Sequence, residues 1–346
     1  MRSAFSIIAL WGIISGLGAV PVHAQRGGIA GVIVASETGE ALAHGIVSIT
    51  QLGREQFTDD SGRFVLRDIP AGPRQVRVRR LGFTPEELLV HVRPGATDTV
   101  HIAMTRVVLN LSRVTVRSWP PCRNPGAPTP EADPTLFAVF EQLKFNAEQL
   151  RLLARSYPFM YTMERTMTNR MRETGRLALF WRGPQFIDSR TRWRYRPGEV
   201  IVRRGRASAF RIPTLAEIAD DNFLRSHCFH YAGLDKVDSV DFVRVDLVAA
   251  EHIDKPDVNG SMYLDPQSLQ IRRTVLHLSR RDKRLEYLFD MRVTTDFGEI
   301  LPSIPVIVEV SSVQVMDPLV KSDMDEAYEE QRLIDFHFRG KKPGGP

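Results

Sequence analysis

The chain has 346 residues, of which 43% are hydrophobic and 25% are charged, and its formal net charge is +5. This apolar fraction is enough for packed cores and excludes disorder throughout the chain, and the length suggests two domains. Arginine supplies most of the positive charge, with 39 arginines and seven lysines. One interpretation is a basic face that attracts acidic lipid or glycan, with residues 203–211 as the densest basic run. The alternative is scattered, solvated charge.

The N-terminus has the pattern of a secretory signal. Arg2 precedes an apolar or small run of 17 residues from Ala4 to Val20, and small side chains follow at Val22 and Ala24. This pattern predicts a signal peptide over residues 1–24, cleaved after Ala24. A retained anchor is the alternative, because the run is at the short edge of what spans a bilayer. The sequence therefore predicts an exported protein, soluble after cleavage, in the periplasm or associated with the outer membrane, where nucleic acid is not an expected partner.

The chain has two cysteines, Cys122 and Cys228. In an oxidising compartment an even pair is most simply a disulfide. Such a bridge would close a loop of about 106 residues, which chain-entropy models value at roughly 4–5 kcal/mol.

Residues 28–106 have the pattern of short strands separated by turns. About seven strands in about 80 residues predict an antiparallel sandwich. In the stretch "TDDSGRF" (58–64), Asp59 and Asp60 can bond their own backbone, and Gly62 can adopt a positive φ, so that Phe64 starts the next strand facing the core. Calcium binding is the alternative, but two carboxylates are too few for its shell of six to eight oxygens.

Several motifs follow one another in this region: Gly31-x-Ile33, Gly39-Glu40-Ala41-Leu42, Val47-x-Ile49, Thr58-Asp59-x-x-Gly62-x-Phe64, Ile69-Pro70-x-Gly72 and Arg80-x-Gly82-Phe83. Together they resemble the carboxypeptidase regulatory-like domain, a transthyretin-like sandwich often found at the N-terminus of TonB-dependent receptors. A second turn follows the first, with Pro70 and Gly72 in "IPAG". One departure is His44-Gly45, where the family has Gly-Ala. The resemblance implies a non-catalytic accessory or interaction module, and its carbohydrate-binding-like fold makes glycan a conceivable ligand.

A proline-rich linker, within residues 107–133, separates this sandwich from a second domain at 134–340. Asp133 is a good N-cap and Pro134 a good first residue for an amphipathic helix over about 134–155. A short helix is expected near 214–227, and the rest alternates like strands, including the row Tyr287, Phe289, Met291 and Val293. The expected fold is mostly β, a seven-stranded Greek-key β-sandwich followed by an α+β domain with a curved antiparallel sheet and one or two packed helices.

The stretch from Gly260 to Ile271 predicts a hairpin with a tight "DPQS" turn. It resembles hairpins of LolA-like and outer-membrane lipoprotein-sorting folds. The resemblance implies a half-barrel whose apolar interior could hold an acyl chain, lined by rows such as Val243, Val245 and Leu247. The alternative is that these rows form an ordinary closed core.

No metalloprotease, serine hydrolase or P-loop motif occurs in the sequence. The cluster His227-Cys228-x-His230 could bind zinc, but a disulfide would occupy Cys228. The acidic run 322–330 is interpreted as a solvated face. We therefore assign no catalytic residue, cofactor or metal. The first functional hypothesis is an exported interaction protein that binds an envelope protein or glycan, with possible peripheral association with the outer membrane. The second is a periplasmic carrier of lipid or another hydrophobic ligand that uses the curved sheet of the second domain, and the third is an unrecognised hydrolase.

Overall fold

A computed structural model describes residues 25–109, 120–191, 193–204, 207–282, 285 and 287–343, and the side chains of residues 203–209 are outside the description. The predicted signal peptide lies outside the described residues. Within them, no helix is both long and apolar enough to cross a membrane.

The N-terminal part is the expected seven-stranded sandwich. One sheet has the strand order β4-β1-β7 and the other has the order β3-β2-β5-β6. The two inner faces form one core cluster, in which Ile29, Ile33 and Val47 are fully buried. β7 pairs with β1 in parallel, which differs from an all-antiparallel sandwich. The strands are β1 Arg26–Ala35, β2 Ile46–Ile49, β3 Arg54–Phe57, β4 Arg63–Pro70, β5 Gly72–Arg79, β6 Glu86–Val92 and β7 Thr97–Met104.

The amphipathic helix begins and ends close to its predicted positions, as α1 Pro134–Ser156. The Asp133 side chain caps it by accepting a hydrogen bond from the Leu136 N–H at 2.9 Å, and Pro134 occupies the first turn. The first N–H groups of a helix have no partner within the helix. The Asp133 side chain supplies a partner for one of them, and Pro134 has no N–H that needs one.

The second domain is built on one nine-stranded sheet with the order β12-β13-β14-β15-β16-β17-β18-β8-β9. Its strands pair antiparallel. A separate small hairpin, β10-β11, and two short helices complete the domain. The elements are β8 Phe159–Met171, β9 Leu177–Asp188, β10 Ile201–Arg204, β11 Ala207–Phe210, α2 Leu215–Ile218, α3 Asp221–Leu224, β12 His227–Val237, β13 Val240–Ala249, β14 Val258–Leu264, β15 Ile271–Leu278, β16 Leu288–Leu301, β17 Ile304–Met316 and β18 Met324–Phe338.

Helix α1 lies between the sandwich and the large sheet and contacts both. Its Phe140 and Leu143 join the core of the sheet, whereas its Phe145 and Leu153 join a cluster with Phe57 of the sandwich. The sequence pattern predicted the first contact; the second was not predicted.

Polar contacts join the same three parts. The Gln142 Oε1 of α1 accepts a hydrogen bond from the Gly82 N–H of the sandwich at 2.8 Å. Asn146 of α1 donates to Leu269 O and accepts from the Ile271 N–H, both at 3.1 Å. Because Gln142 and Asn146 are buried, loss of one of these hydrogen bonds would leave a polar atom with neither a protein partner nor water.

The predicted row in β16 is wrong at its start. Met291 and Val293 are buried, but Tyr287 and Phe289 are exposed, and Leu288 takes the core position instead. The register between β16 and β17 shifts between Leu288 and Asp290. A β-bulge of this kind adds one residue and reverses the faces of the residues before it.

Candidate functional site

The turn motif of the sandwich uses its own polar groups. Asp59 Oδ1 accepts hydrogen bonds from the N–H and Oγ of Ser61 and from the N–H of Arg63, all within 2.9 Å. Gly62 has φ +70°, and a Cβ there would lie 2.6 Å from Ile33 O. Phe64 is buried in the sandwich core. Because local donors surround Asp59, its carboxylate acts as a turn cap in this structure.

The remaining residues of the predicted turns are Asp60, Pro70 and Gly72. Asp60 is exposed, and its Oδ1 lies 3.6 Å from the His44 Nε2. Pro70 ends β4 and Gly72 begins β5 with φ +106°. His44 itself has φ +56°. This left-handed conformation gives a physical reason for the glycine that the family carries there.

Cys122 and Cys228 form the predicted disulfide, with their Cα atoms 5.6 Å apart. The bridge removes the thiolate from the His227-Cys228-x-His230 cluster. His227 is fully buried, and both of its ring nitrogens lie near carbonyl oxygens, Phe223 O at 3.0 Å and Val258 O at 3.1 Å. Among the described residues, no group of three or more His, Cys, Asp or Glu side chains could hold a metal ion.

The acidic run 322–330 does not form a simple solvated face. It enters β18, where Glu326 and Glu329 pair with Arg170 and Arg165 of β8. The Arg165–Glu329 contact is bidentate, at 2.6 and 2.8 Å. These carboxylates therefore act mainly in cross-strand ion pairs.

The most distinctive site in the described part of the chain is a cavity of about 560 Å³ with a basic lining. We call it the basic pocket. Three separate segments form it: residues 193–202, Arg211 after β11, and Lys255 in the loop between β13 and β14. The cations at its wall are Arg194, Arg196, Arg211 and Lys255.

One aromatic ring and one carboxylate complete the wall. The Arg211 guanidinium lies 5.6 Å from the centroid of the Trp193 ring, and the Glu199 carboxylate is 3.7 Å from the Arg196 guanidinium. With four cations and one carboxylate, the pocket has an excess of positive charge. Exposed guanidinium groups of this kind bind carboxylate or phosphate oxygens in a bidentate manner.

A buried aspartate holds the backbone of the pocket in place. Asp257 Oδ2 accepts hydrogen bonds from the Tyr195 hydroxyl at 2.6 Å and from the Gly198 N–H at 2.7 Å. Asp257 and Tyr195 are almost completely inaccessible to solvent. Burial, together with the nearby Asp257 carboxylate, raises the pKa of the Tyr195 hydroxyl. Gly198 has φ +70°, and a Cβ there would lie 2.9 Å from the Lys255 Cβ.

Aromatic stacking extends this support toward the core. The Tyr195 ring packs edge-on against Phe223 with centroids 4.9 Å apart, and Phe223 stacks on His227 at 3.8 Å. Burial lowers the pKa of His227, and the Asp257 carboxylate opposes that effect. The pocket thus has exposed cations above a buried, hydrogen-bonded base, an arrangement that can bind an anionic ligand with little backbone rearrangement.

Sequence reasoning found one part of this site. Arg211 is the last residue of the basic run 203–211, for which a basic face was one interpretation. Trp193, Tyr195 and Asp257 were not singled out. The only local signal is the alternation of arginine and aromatic residues in "RWRYR" (192–196).

The apolar rows that a lipid carrier would use are filled. Val243, Val245 and Leu247 of β13 are buried in the same cluster as Leu136 and Phe140 of α1. In this structure α1 occupies the space that an acyl chain would need at that part of the sheet. This packing favours the closed core over the carrier.

The family model of the carboxypeptidase regulatory-like domain matches residues 28–105. No curated protein matches the chain. Among solved structures, a type II cohesin–X-dockerin complex from Acetivibrio cellulolyticus is similar at 20% identity and a TM-score of 0.19, covering 22% of this chain and 56% of that one. This chain therefore spans little more than half of the length of that structure.

Two further structures are similar to more than half of this chain. A DUF1329 family protein from Desulfovibrio piger has 8% identity, covers 57% of this chain and 92% of its own, and has a TM-score of 0.31. A LolA superfamily protein from Nitrosomonas europaea has 11% identity, covers 58% and 94%, and has a TM-score of 0.28. The second belongs to the superfamily that the 260–271 hairpin resembles. TM-scores this low carry no argument about function.

Proposed function

Because residues 28–105 form a carboxypeptidase regulatory-like domain, we propose that this protein is a non-catalytic, exported binding protein whose basic pocket takes an acidic saccharide. The observation that carries the proposal is the four-to-one excess of cations over carboxylates around a cavity of about 560 Å³ with an aromatic wall. The sandwich and the large sheet, joined through α1, form the platform that presents this pocket.

The chemistry of the lining supports an acidic sugar as the ligand. Guanidinium groups such as Arg194 and Arg211 suit the paired oxygens of a carboxylate or phosphate. The indole of Trp193 offers an apolar face, and the C–H face of a pyranose ring can pack on such a surface. A ligand of this class has both an anionic group and an apolar face, whereas inorganic phosphate has only the first.

Export is supported by the secretory pattern of residues 1–24 and by the disulfide. In an exported compartment the acidic ligands within reach include phosphorylated and carboxylated glycans of the cell envelope. We therefore propose that the protein acts in the periplasm or on the outer membrane.

A glycan array tests this proposal. The mature chain is applied to phosphorylated, carboxylated and matched neutral oligosaccharides, and the bound glycans are then measured by isothermal titration calorimetry. We expect binding to acidic glycans only, weakened by added salt. The double variant Arg211→Ala/Lys255→Ala should bind at least about 100-fold more weakly, because each charge-assisted hydrogen bond contributes about 1.5–3 kcal/mol and the variant removes two.

The control variant is Arg67→Ala, which removes an exposed arginine of the sandwich, far from the pocket in sequence and in a different domain. It should bind acidic glycans as the unaltered protein does. Equal affinity of the pocket variant and the unaltered protein would exclude the basic pocket as the site. Absence of binding to every acidic glycan at low ionic strength would exclude the proposed ligand class.

A further inference from the structure

A second feature, independent of the basic pocket, is the exposed apolar start of β9. Leu177, Leu179 and Phe180 are 65%, 64% and 69% exposed. Every residue from 177 to 182 is exposed. Large apolar side chains that lie together at the surface mark a site of interaction with a protein or a membrane.

These side chains lie on both faces of the sheet. Leu179 pairs with Thr168 of β8, and Trp181 pairs with the adjacent Met167, so that Phe180 forms a bulge between them. Since Thr168 and Met167 are neighbours along one strand, their partners point to opposite faces. A protein that covers one face of the hairpin would leave the other in water.

The two edges of the large sheet differ. The segment after Cys122 bonds to the first residue of the β12 edge, where the Gly126 N–H donates to His227 O at 3.0 Å. β9 forms the other edge, and no described strand pairs with its outer side. Pro184 lies within β9 and lacks an N–H, which disfavours the addition of a further strand along that edge.

More exposed apolar residues lie at the same end of the sheet. The start of β18 pairs with the end of β8 through Met324 and Met171, and the loop before β18 carries Leu319, which is 93% exposed. That loop follows the end of β17, where Met316 pairs with Leu288, the residue before the exposed Phe289. We call this set the apolar end; its residues are Leu177, Leu179, Phe180, Phe289 and Leu319.

Arginines flank the start of β9. Residues 170–182 include four arginines and one glutamate. Arg170 and Arg182 pair with glutamates, whereas Arg172 donates to the carbonyl oxygens of Pro318 and Val320 at 3.3 Å. No carboxylate among the described residues forms an ion pair with Arg172 or Arg176. Cations beside apolar side chains suit the boundary between phosphate headgroups and acyl chains.

We propose that the apolar end docks this protein on a bilayer surface that contains anionic lipid. The side chains of Leu179 and Phe180 enter the boundary between headgroups and acyl chains, and Arg172 and Arg176 contact lipid phosphates. The acyl-chain region of a bilayer can surround both faces of the β8–β9 hairpin at once, whereas the surface of one protein would cover only one face. Insertion is shallow, within roughly 5–10 Å, because the outer edge of β9 must keep its backbone groups bonded to water or headgroups.

Vesicle co-sedimentation of the mature chain, without glycan, tests the proposal. The vesicles contain phosphatidylethanolamine and phosphatidylglycerol, with pure phosphatidylcholine for comparison. We expect binding to the first, and at least a tenfold loss for Leu179→Ser/Phe180→Ser. Arg172→Gln/Arg176→Gln should lower binding to anionic vesicles and leave the weak binding to phosphatidylcholine unchanged.

The matched control is Leu89→Ser, which removes a leucine of the sandwich that is 74% exposed. It should bind vesicles as the unaltered protein does. Thermal unfolding checks that each variant is folded. Trp181 gives a second readout, since brominated lipid should quench its fluorescence, and Trp181→Phe should remove that part of the quenching.

Two results would overturn the proposal. One is equal vesicle binding by Leu179→Ser/Phe180→Ser and the unaltered protein. The other is no binding of the folded protein to anionic vesicles. In either case sedimentation velocity identifies the occupant: a dimer of the unaltered protein that this variant abolishes would make the apolar end a contact between two protein chains in place of a bilayer contact.

Discussion

Removal of the disulfide between Cys122 and Cys228 should lower the stability of this protein by several kcal/mol. Cys122 and Cys228 are 106 residues apart in sequence, and their bond restricts the unfolded chain far more than the folded one. In the chain-entropy model a loop of that length contributes about 5 kcal/mol at 25 °C. The folded state keeps its other contacts at the β12 edge, such as the hydrogen bond from the Gly126 N–H to His227 O. We therefore expect Cys122→Ser/Cys228→Ser to fold and to be less stable.

The expected loss converts to a shift in melting temperature. For about 320 residues that unfold together, the entropy of unfolding is about 0.7 kcal/mol/K, so the midpoint should fall by about 7 °C. Differential scanning calorimetry of the double variant and of the reduced, unaltered protein measures this, and the two should agree. A shift below about 2 °C in both would refute the loop-entropy argument, because it would mean that the unfolded chain is already restricted without the bond.

Three further substitutions test the packing. Burial lowers the pKa of His44 and of His227 below the ordinary value of 6.5, so the folded state binds fewer protons than the unfolded state. Stability should therefore fall as the pH drops below about 6.5, by up to about 1.4 kcal/mol per pH unit for each histidine. His44→Gly should reduce this pH dependence in urea titrations at pH 5.5 and 7.5, and an unchanged dependence would show that His44 does not contribute to it. The Thr58 hydroxyl donates to Leu42 O at 2.8 Å and accepts from the Gly45 N–H at 2.9 Å. Thr58→Val should therefore lower the free energy of unfolding by about 1–3 kcal/mol. A loss below about 0.5 kcal/mol would show that the turn rearranges to satisfy these groups. A Cβ at Gly260 would lie 2.0 Å from Val275 O, so Gly260→Ala should lower the free energy of unfolding by about 3 kcal/mol or more. The control is Gly126→Ala, where a Cβ would meet open space, and it should change stability little. Equal effects of the two substitutions would contradict the close approach of β14 and β15 at Gly260.

Local chemistry explains why much of the fold could be read from the sequence. The alternation in the sandwich strands, the cap at Asp133 and the turn around Asp59 depend on residues within a few positions of each other. Such signals survive in a single sequence because the backbone dihedrals they favour are set locally. The disulfide was predictable for a different reason: two cysteines allow one pairing.

The row of alternating residues in β16 is a feature that the local sequence did not predict correctly. A bulge between Leu288 and Asp290 shifts the register against β17, and it leaves Phe289 on the surface. The pairing strand decides where an extra residue is accommodated, and that strand lies farther along the chain. The start of β9 is similar, because its exposure depends on which strands and helices lie beside it.

The sequence by itself therefore determined the β-rich architecture, the first domain, the long helix and the cysteine pair. Tertiary structure alone decided that α1 packs on both domains, and that Trp193, Arg211 and Lys255 meet above Asp257. These residues come from segments up to 62 positions apart, from Trp193 to Lys255, and no periodicity or spacing links them. Their meeting follows from how the elements pack, because a binding site made of separate segments exists only once those segments are brought together.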